Sequence, residues 1–339
     1  MEQKLDIEYP MVTAFESTSN LLAILQKYEQ TKPWIYSNFI QMEVLKKFGR
    51  DDHIQFYNHH IRFDVCPYLK YQVLNFDLLK YTGCQLGQLI KSVINDKYYV
   101  RLAVDISEMN VFHTTKRGIR KILIYGYNED IFYIAGFFST SKYEFETCTT
   151  EELMQAVGNL DQDNVESKYK DVEFIKYNSI GHYDLDIDFL VSSIEDFING
   201  VNLSLKYKRG DEQKKSHWLY GIKIYDYLET LIKEEIGKTG SVIDVRSFQV
   251  LIDQKSIMYK RIEYMSDHGI PVSMYKEDYL EILVITTVIR NMILKYNHSF
   301  KSQILPEILE RLTDLKEKEK KVLQLLHGAL IFYSITEKE

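Results

Sequence analysis

The chain has 339 residues, 45% hydrophobic and 27% charged, enough to bury a large core and in keeping with two domains. Its formal charge of −7 supplies no clustered Lys/Arg surface for phosphates, so nucleic acid is not an expected partner. Three cysteines, Cys66, Cys84 and Cys148, an odd number without metal-ligand spacing, favour a reducing, cytoplasmic setting over a disulfide framework.

The opening MEQKLDIEYP lacks a cationic start followed by an apolar core, so no leader is expected in it. NLLAILQKY reads as a helix, and TKPWIYSNFIQMEVLKKFGR as a second, with Thr31 as cap, Pro33 in the first turn and Gly49 at the stop. IQFYN, Ile54 to Asn58, is a short strand, whereas His59 to Tyr81 mixes signals and is expected to be mostly irregular. GQLIKSVIND reads as a short helix leading into the Tyr- and Val-rich strand KYYVRLAVDI. RKILIYGY and IFYIAGF are β-rich runs separated by Asn128, Glu129 and Asp130, which is turn chemistry at hairpin spacing. KYEFETC alternates and is expected to pair beside them. Thr149 and Glu152 form a capping box that opens a helix through Val157, and VEFIKY adds a further strand.

From Asp186 the pattern becomes helical, beginning with the capped IDFLVSSIEDFING, and no further strand is expected. Trp218, Ile222, Tyr225, Leu228 and Ile232 form one stripe, and Val245, Phe248, Ile252, Tyr259 and Ile262 another. Residues 278 to 296 are apolar almost all round and predict the centre of a bundle; Arg290 inside this run argues against a membrane span. The last segment spaces Ile308, Leu312, Leu315, Val322 and Leu326 by threes and fours, with Glu319 interrupting. A packed terminal helix is favoured over a dimer seam there, a homodimer through the C-terminal helices being the alternative, and LKEKEKK reads as a solvated face. The whole reads as α+β: helices plus an antiparallel sheet over 1–180, then a helical domain over 181–339.

Chemistry is sparse. No Gly-rich phosphate loop and no HExxH helix occurs, and no cofactor is expected. Asp51, Asp52, His53, His59, His60, Asp64 and Cys66 are the densest set of ligand types, but their spacing matches no recurring metal site, so a polar connection is preferred. Of the cysteines, Cys66 in DVCPYL lies nearest to histidines, Cys84 in TGCQLG lies near a helix start, and Cys148 reads as structural; a small buried residue is the default for each.

PWIYSNFIQ, DVCPYL, KYYV, LIYGYNEDIFYIAGF, KYEFETCTTEEL and HWLYGIKIYDYL, in that order, resemble the family of butirosin biosynthesis protein H, N-terminal domain. The resemblance implies a papain-like fold, encoded with nonribosomal peptide, polyketide or aminoglycoside pathways, whose founding member moves an acyl group from a carrier protein to an amine. It also implies a cysteine at a helix start, a histidine on a strand and an Asp or Asn beyond. This sequence departs at all three places: the helix near Pro33 offers Tyr36, Ser37 and Asn38, Arg120 stands where the strand histidine is expected, and Ala135 to Phe137 replace the acid. Arginine cannot act as a base at neutral pH. The expectation is therefore an accessory or binding protein whose partner is an acyl or peptidyl carrier protein or a pathway intermediate. Arg120 would be an anion clamp, with Tyr125, Tyr127 and Asn128 beside it in the hairpin, or else the partner of a nearby carboxylate. The competing expectation is an active acyltransferase or peptidase-like enzyme that uses Ser37 or Cys66 with His113.

Overall fold

The structure, a computed structural model, describes residues 2–45, 53–57, 60–140, 142–162, 166, 169–207, 217–236 and 241–336. The fold is α+β, with an antiparallel sheet of seven strands and a helical C-terminal region. The chain forms two units, each assembled from separate pieces: 1–31 with 60–183, and 32–59 with 184–339. Residues 32–59, which the sequence division put in the first domain, thus belong to the second unit.

The first unit is built on β1 (Glu2–Lys4), β4 (Leu69–Asn75), β5 (Tyr98–Asp105), β6 (Ile119–Asn128), β7 (Ile131–Phe137), β8 (Tyr143–Thr149) and β9 (Asp171–Tyr177), labels running in chain order through both units. The strand order is β4-β9-β5-β6-β7-β8, and β1 pairs with the far half of β6, where β5 has ended. β5 is central and buried on both faces from Tyr99 to Asp105, which is why its sequence reads as a nearly continuous apolar run. β1 approaches so closely that a Cβ on Gly126 would lie 2.7 Å from the Gln3 carbonyl oxygen, so only glycine fits there. The β6–β7 hairpin turns through Glu129 and Asp130, with Glu129 in the left-handed region at φ 49°. α1 (Glu16–Leu25) packs on one face of the sheet. α4 (Leu86–Asn95) and α5 (Thr150–Gln162) cover the other, Lys91 of α4 lying over the Phe132 ring. The capping box of α5 is formed in both directions: Glu152 Oε2 accepts from Thr149 N at 2.8 Å, and Thr149 Oγ1 accepts from Glu152 N at 3.1 Å.

The stretch 59–81, expected to be mostly irregular, holds β4 and α3 (Phe76–Tyr81). β4 is an edge strand paired only with β9, so its side chains are largely exposed or half-buried on both faces and it shows no clean alternation.

The second unit contains α2 (Lys32–Ser37), β2 (Met42–Leu45), β3 (Gln55–Phe56), α6 (Ile187–Asn199), α7 (Leu203–Lys206), β10 (Trp218–Tyr220), α8 (Ile224–Glu235), α9 (Arg246–Asp267), α10 (Lys276–Ser299) and α11 (Leu305–Thr336). Two expectations are corrected here. The helix read through to Gly49 ends at Ser37, because Phe39 takes φ 58° and the backbone then extends into β2. Trp218, read as the head of a helical stripe, lies in a strand that pairs with β2 in the small sheet β10-β2-β3; the stripe begins in earnest at Tyr225. α6 is capped as expected, Asp186 Oδ1 accepting from Phe189 N at 2.8 Å and Gly200 closing it at φ 57°.

The centre of the bundle is α11, which packs on α6, α8 and α10 and buries Ile308, Leu312, Leu315, Glu319, Val322, Leu326 and Leu330. α10, expected at the centre, buries one stripe, Tyr279, Ile282, Thr286, Ile289, Ile293 and Tyr296, and leaves its other face outward. No helix among the described residues is long and apolar enough to cross a membrane.

Candidate functional site

Where α1 begins on the sheet of the first unit, four charges meet. Successive strand residues alternate between faces, so Arg101 of β5 and its cross-strand neighbour Glu173 of β9 point the same way, as does Lys121 of β6. Arg101 Nη1 donates to Glu173 Oε2 at 2.6 Å, and its Nε donates to Glu16 Oε1 at 2.8 Å. Lys121 Nζ donates to the other Glu173 oxygen at 2.5 Å. Glu16 stands in the first turn of α1, where the helix end favours an anion, and it also accepts from Asn20 Nδ2 at 2.8 Å one turn on. Asn20 in turn accepts from the Tyr143 hydroxyl at 2.7 Å, and the Phe63 ring lies 5.4 Å from the guanidinium carbon of Arg101.

Two cations stand against two anions, and the network holds the charge on its two most buried members, Glu173 and Arg101. Burial opposes a charge on Glu173, yet Arg101 and Lys121 outweigh it and hold the carboxyl below its ordinary value. Burial likewise opposes the charge on Arg101, and Glu16 and Glu173 more than restore it. Burial, helped by Glu173, raises the Tyr71 phenol, and burial, helped by Glu16, raises that of Tyr143. At neutral pH Glu173 is thus held ionised, Arg101 charged, and Tyr71 and Tyr143 neutral. Glu16 and Lys121 are its less buried members.

Beyond the end of β5 lies an open cleft of about 230 Å³, lined by Asp105, Arg117, Gly118, Ile119 and Leu160. Asp105 is buried and accepts from Arg117 Nε at 2.9 Å and from the Ser107 hydroxyl at 2.8 Å. These bonds override the cost of burial and lower its pKa.

The second unit holds another charged centre. Lys255 Nζ of α9 donates to Glu319 Oε1 at 2.5 Å and to Gln254 Oε1 at 2.8 Å; Tyr225 and Tyr279 donate to Glu319 at 2.6 and 3.0 Å. All four of Lys255, Glu319, Tyr225 and Tyr279 are buried. Nearly two helical turns further along α9, Arg261 donates to the backbone carbonyls of Tyr36 and Asn38, fixing the end of α2 and the residue after it.

The residues singled out from the sequence are scattered. Ser37, the last residue of α2, is fully buried and its hydroxyl accepts from Asp186 N at 3.1 Å. Cys66 is buried, and burial, against a weaker pull from the Tyr68 backbone, pushes its thiol up to about 12. His113 is exposed, at φ 47° after a short turn that follows β5. Cys66 precedes β4 at the sheet end marked by Tyr98 and Tyr177, whereas His113 follows Asp105 at the opposite end. β5 alone separates those ends by roughly 25 Å, so the structure does not bring this thiol and imidazole together. Ser37 belongs to the second unit and His113 to the first.

Arg120 is exposed and its guanidinium donates to the Ile119 carbonyl at 3.1 Å. Tyr125 is buried against Tyr133 and Phe145, with Lys4 over its ring. Tyr127 donates to Asn95 at 2.9 Å, and Asn128 pairs in register with Glu2 and Ile131. Arg120 and Asn128 occupy opposite ends of β6, roughly 25 Å apart, and do not form one clamp. Cys148 is buried and pushed up to about 12, chiefly by burial, as a structural thiol would be; Cys84 is exposed, two residues before α4. Asp51, Asp52 and His59 lie outside the described residues, and among the described residues no three ligand-type side chains cluster as a metal would require.

Sequence reading missed Glu16 because the first helix was started at Asn20, past its charged turn. The available signals were Glu16 and Asn20 one helical turn apart, and Arg101, a lone cation inside an apolar strand that has to be paired once buried. No family model and no curated protein matches the chain.

Proposed function

We propose that this chain is a non-catalytic accessory or binding protein of a nonribosomal peptide, polyketide or aminoglycoside type of pathway, with a papain-like first unit whose reactive set has been replaced. One observation carries this reading: Ser37, in the helix where the resemblance expects the nucleophile, is fully buried with its hydroxyl accepting from Asp186 N, and Arg120, where the base is expected, is an exposed arginine. Acyl transfer of this kind would need a thiol or hydroxyl nucleophile beside an imidazole. The two buried thiols are held protonated, and Cys66 lies at the sheet end opposite His113. An acyl or peptidyl carrier protein or its cargo is the partner this reading names. Three unpaired cysteines support a reducing cytoplasm as its setting.

The test is intact-protein mass spectrometry after incubation with an acyl-loaded carrier protein, alongside calorimetric titration of the same carrier. Saturable binding without an acyl adduct is the expected result. An adduct on Cys66 or Ser37 that passes to an added amine would overturn the reading in favour of the active enzyme.

A further inference from the structure

The cleft beyond the end of β5 is built on an arginine that is held from behind. Asp105, 1% exposed, accepts from Arg117 Nε at 2.9 Å through one carboxylate oxygen, and from the Ser107 hydroxyl and backbone N–H at 2.8 and 3.1 Å through the other. The buried acid thus fixes the direction of the guanidinium. One carboxylate engages at most two of the five N–H groups of an arginine, and the Arg117 side chain is 57% exposed, so it brings further donors to the cleft it lines. An arginine oriented in this way is a ready fork for an oxyanion.

The surroundings select the charge and size of the ligand. In a chain of formal charge −7, Met109 to Asn128 holds no acid and four Lys/Arg, of which Lys116, Arg117 and Arg120 are exposed. Glu108, just ahead of this stretch, accepts from Asn159 Nδ2 at 2.8 Å. Arg120 adds to the local field, but its guanidinium is turned to the Ile119 carbonyl. The remaining walls are aliphatic, Ile119 and the buried Leu160, with Gly118 contributing no side chain. The volume, about 230 Å³, is below the roughly 300–1,000 Å³ of sites that enclose drug-sized ligands, so a ligand of few carbons fits. The buried charge of Asp105 behind Arg117 disfavours a dianion such as phosphate more than a monoanion. We propose that this cleft binds a short-chain aliphatic monocarboxylate, with the carboxylate on Arg117 and the chain against Ile119 and Leu160. The site does not rest on the proposed accessory function, and free acids serve as its probes.

Amide NMR titration of the full chain with propanoate, butanoate and pentanoate at neutral pH is expected to give saturable shifts at Gly118 and Ile119, with affinity rising about 2- to 4-fold per methylene. Pentanol, with the chain but no charge, should give none. Arg117→Lys keeps a cation for Asp105 yet loses the planar fork, and should weaken pentanoate by about 10-fold. Arg120→Gln should change it by no more than about 2-fold, the difference between a fixed contact and the general field. Unchanged affinity in Arg117→Lys, or an equal loss in both variants, would overturn the proposal in favour of a diffuse basic patch. Pentanol binding as tightly as pentanoate, inorganic phosphate displacing pentanoate at equal concentration, or no saturable shift up to about 50 mM acid would overturn it as well.

Discussion

Single residues carry meanings here that sequence pattern alone inverts. Glu319 lies in LKEKEKK, a run that reads as solvated, yet it is fully buried because it occupies the inward position of its heptad. Its partner Lys255 is equally hidden, and burial holds that ammonium below its ordinary pKa despite the attraction of Glu319. Such a pair costs much to break and little to replace as a unit. Lys255→Met is therefore expected to destabilise the fold by roughly 3–5 kcal/mol in urea denaturation, because it strands a buried carboxylate. Adding Glu319→Gln should recover most of the loss, since it removes the stranded charge; the two phenols bond to different carboxylate oxygens, so the amide oxygen accepts from one and the amide nitrogen donates to the other. Equal stability of the single and double variants would refute this account. Arg120 misleads in the opposite direction: an odd cation at a strand start suggests a site, but its pleat position and exposure leave it outside the network that Lys121, its neighbour, completes.

At the scale of elements, period and turn chemistry were the legible signals. The hairpin at 128–131, the strands β8 and β9, the helix α6 and the capping box of α5 follow directly from alternation, Asn/Asp-rich turns and S/T-x-x-E spacing. α2 and β2 were not legible as separate elements, because the break between them is a backbone turn at Phe39, a residue type that carries no turn signal. β4 and β10 were hidden for another reason: edge or short strands take their stability from a partner far along the chain. The hairpin also stores a small cost, since Glu129 holds a left-handed conformation that disfavours any side chain with a Cβ. Glu129→Gly is expected to raise stability by roughly 0.5–1 kcal/mol, partly offset by the greater freedom of glycine in the unfolded chain. A fall in the thermal midpoint would show that the glutamate side chain stabilises the turn by another route.

Over the whole molecule, carboxylates of two kinds shape the dependence on pH. Glu173, Asp105 and Glu152 have folded pKa values below the ordinary ones, so the stability they contribute is present above the unfolded values and is lost as pH falls through the folded ones. Glu43, on the central strand of the small sheet, behaves oppositely: burial raises it to about 7 against a weaker pull from Gln55, so its protonated form favours the fold and stability falls as pH rises from its unfolded value through 7. A maximum near pH 5 to 6 is expected. Glu43→Gln should flatten the upper limb and stabilise the chain at pH 8 by up to about 3 kcal/mol, with little change at pH 5, in paired urea titrations. An upper limb unchanged in that variant would place its origin elsewhere. The broad outline, an α+β chain with its helices toward the end, could be read from periodicity; the exchange of residues 32–59 into the second unit could not, since nothing local records which distant strand a strand will join. That exchange has a temporal consequence. β2 leaves the ribosome at residue 45 and finds its neighbour β10 only at residue 218, an interval of roughly 10–35 s at ordinary rates of synthesis. During that time the growing chain carries an unfinished strand edge, and a nascent chain stalled or cut before Trp218 would be a natural client for chaperones.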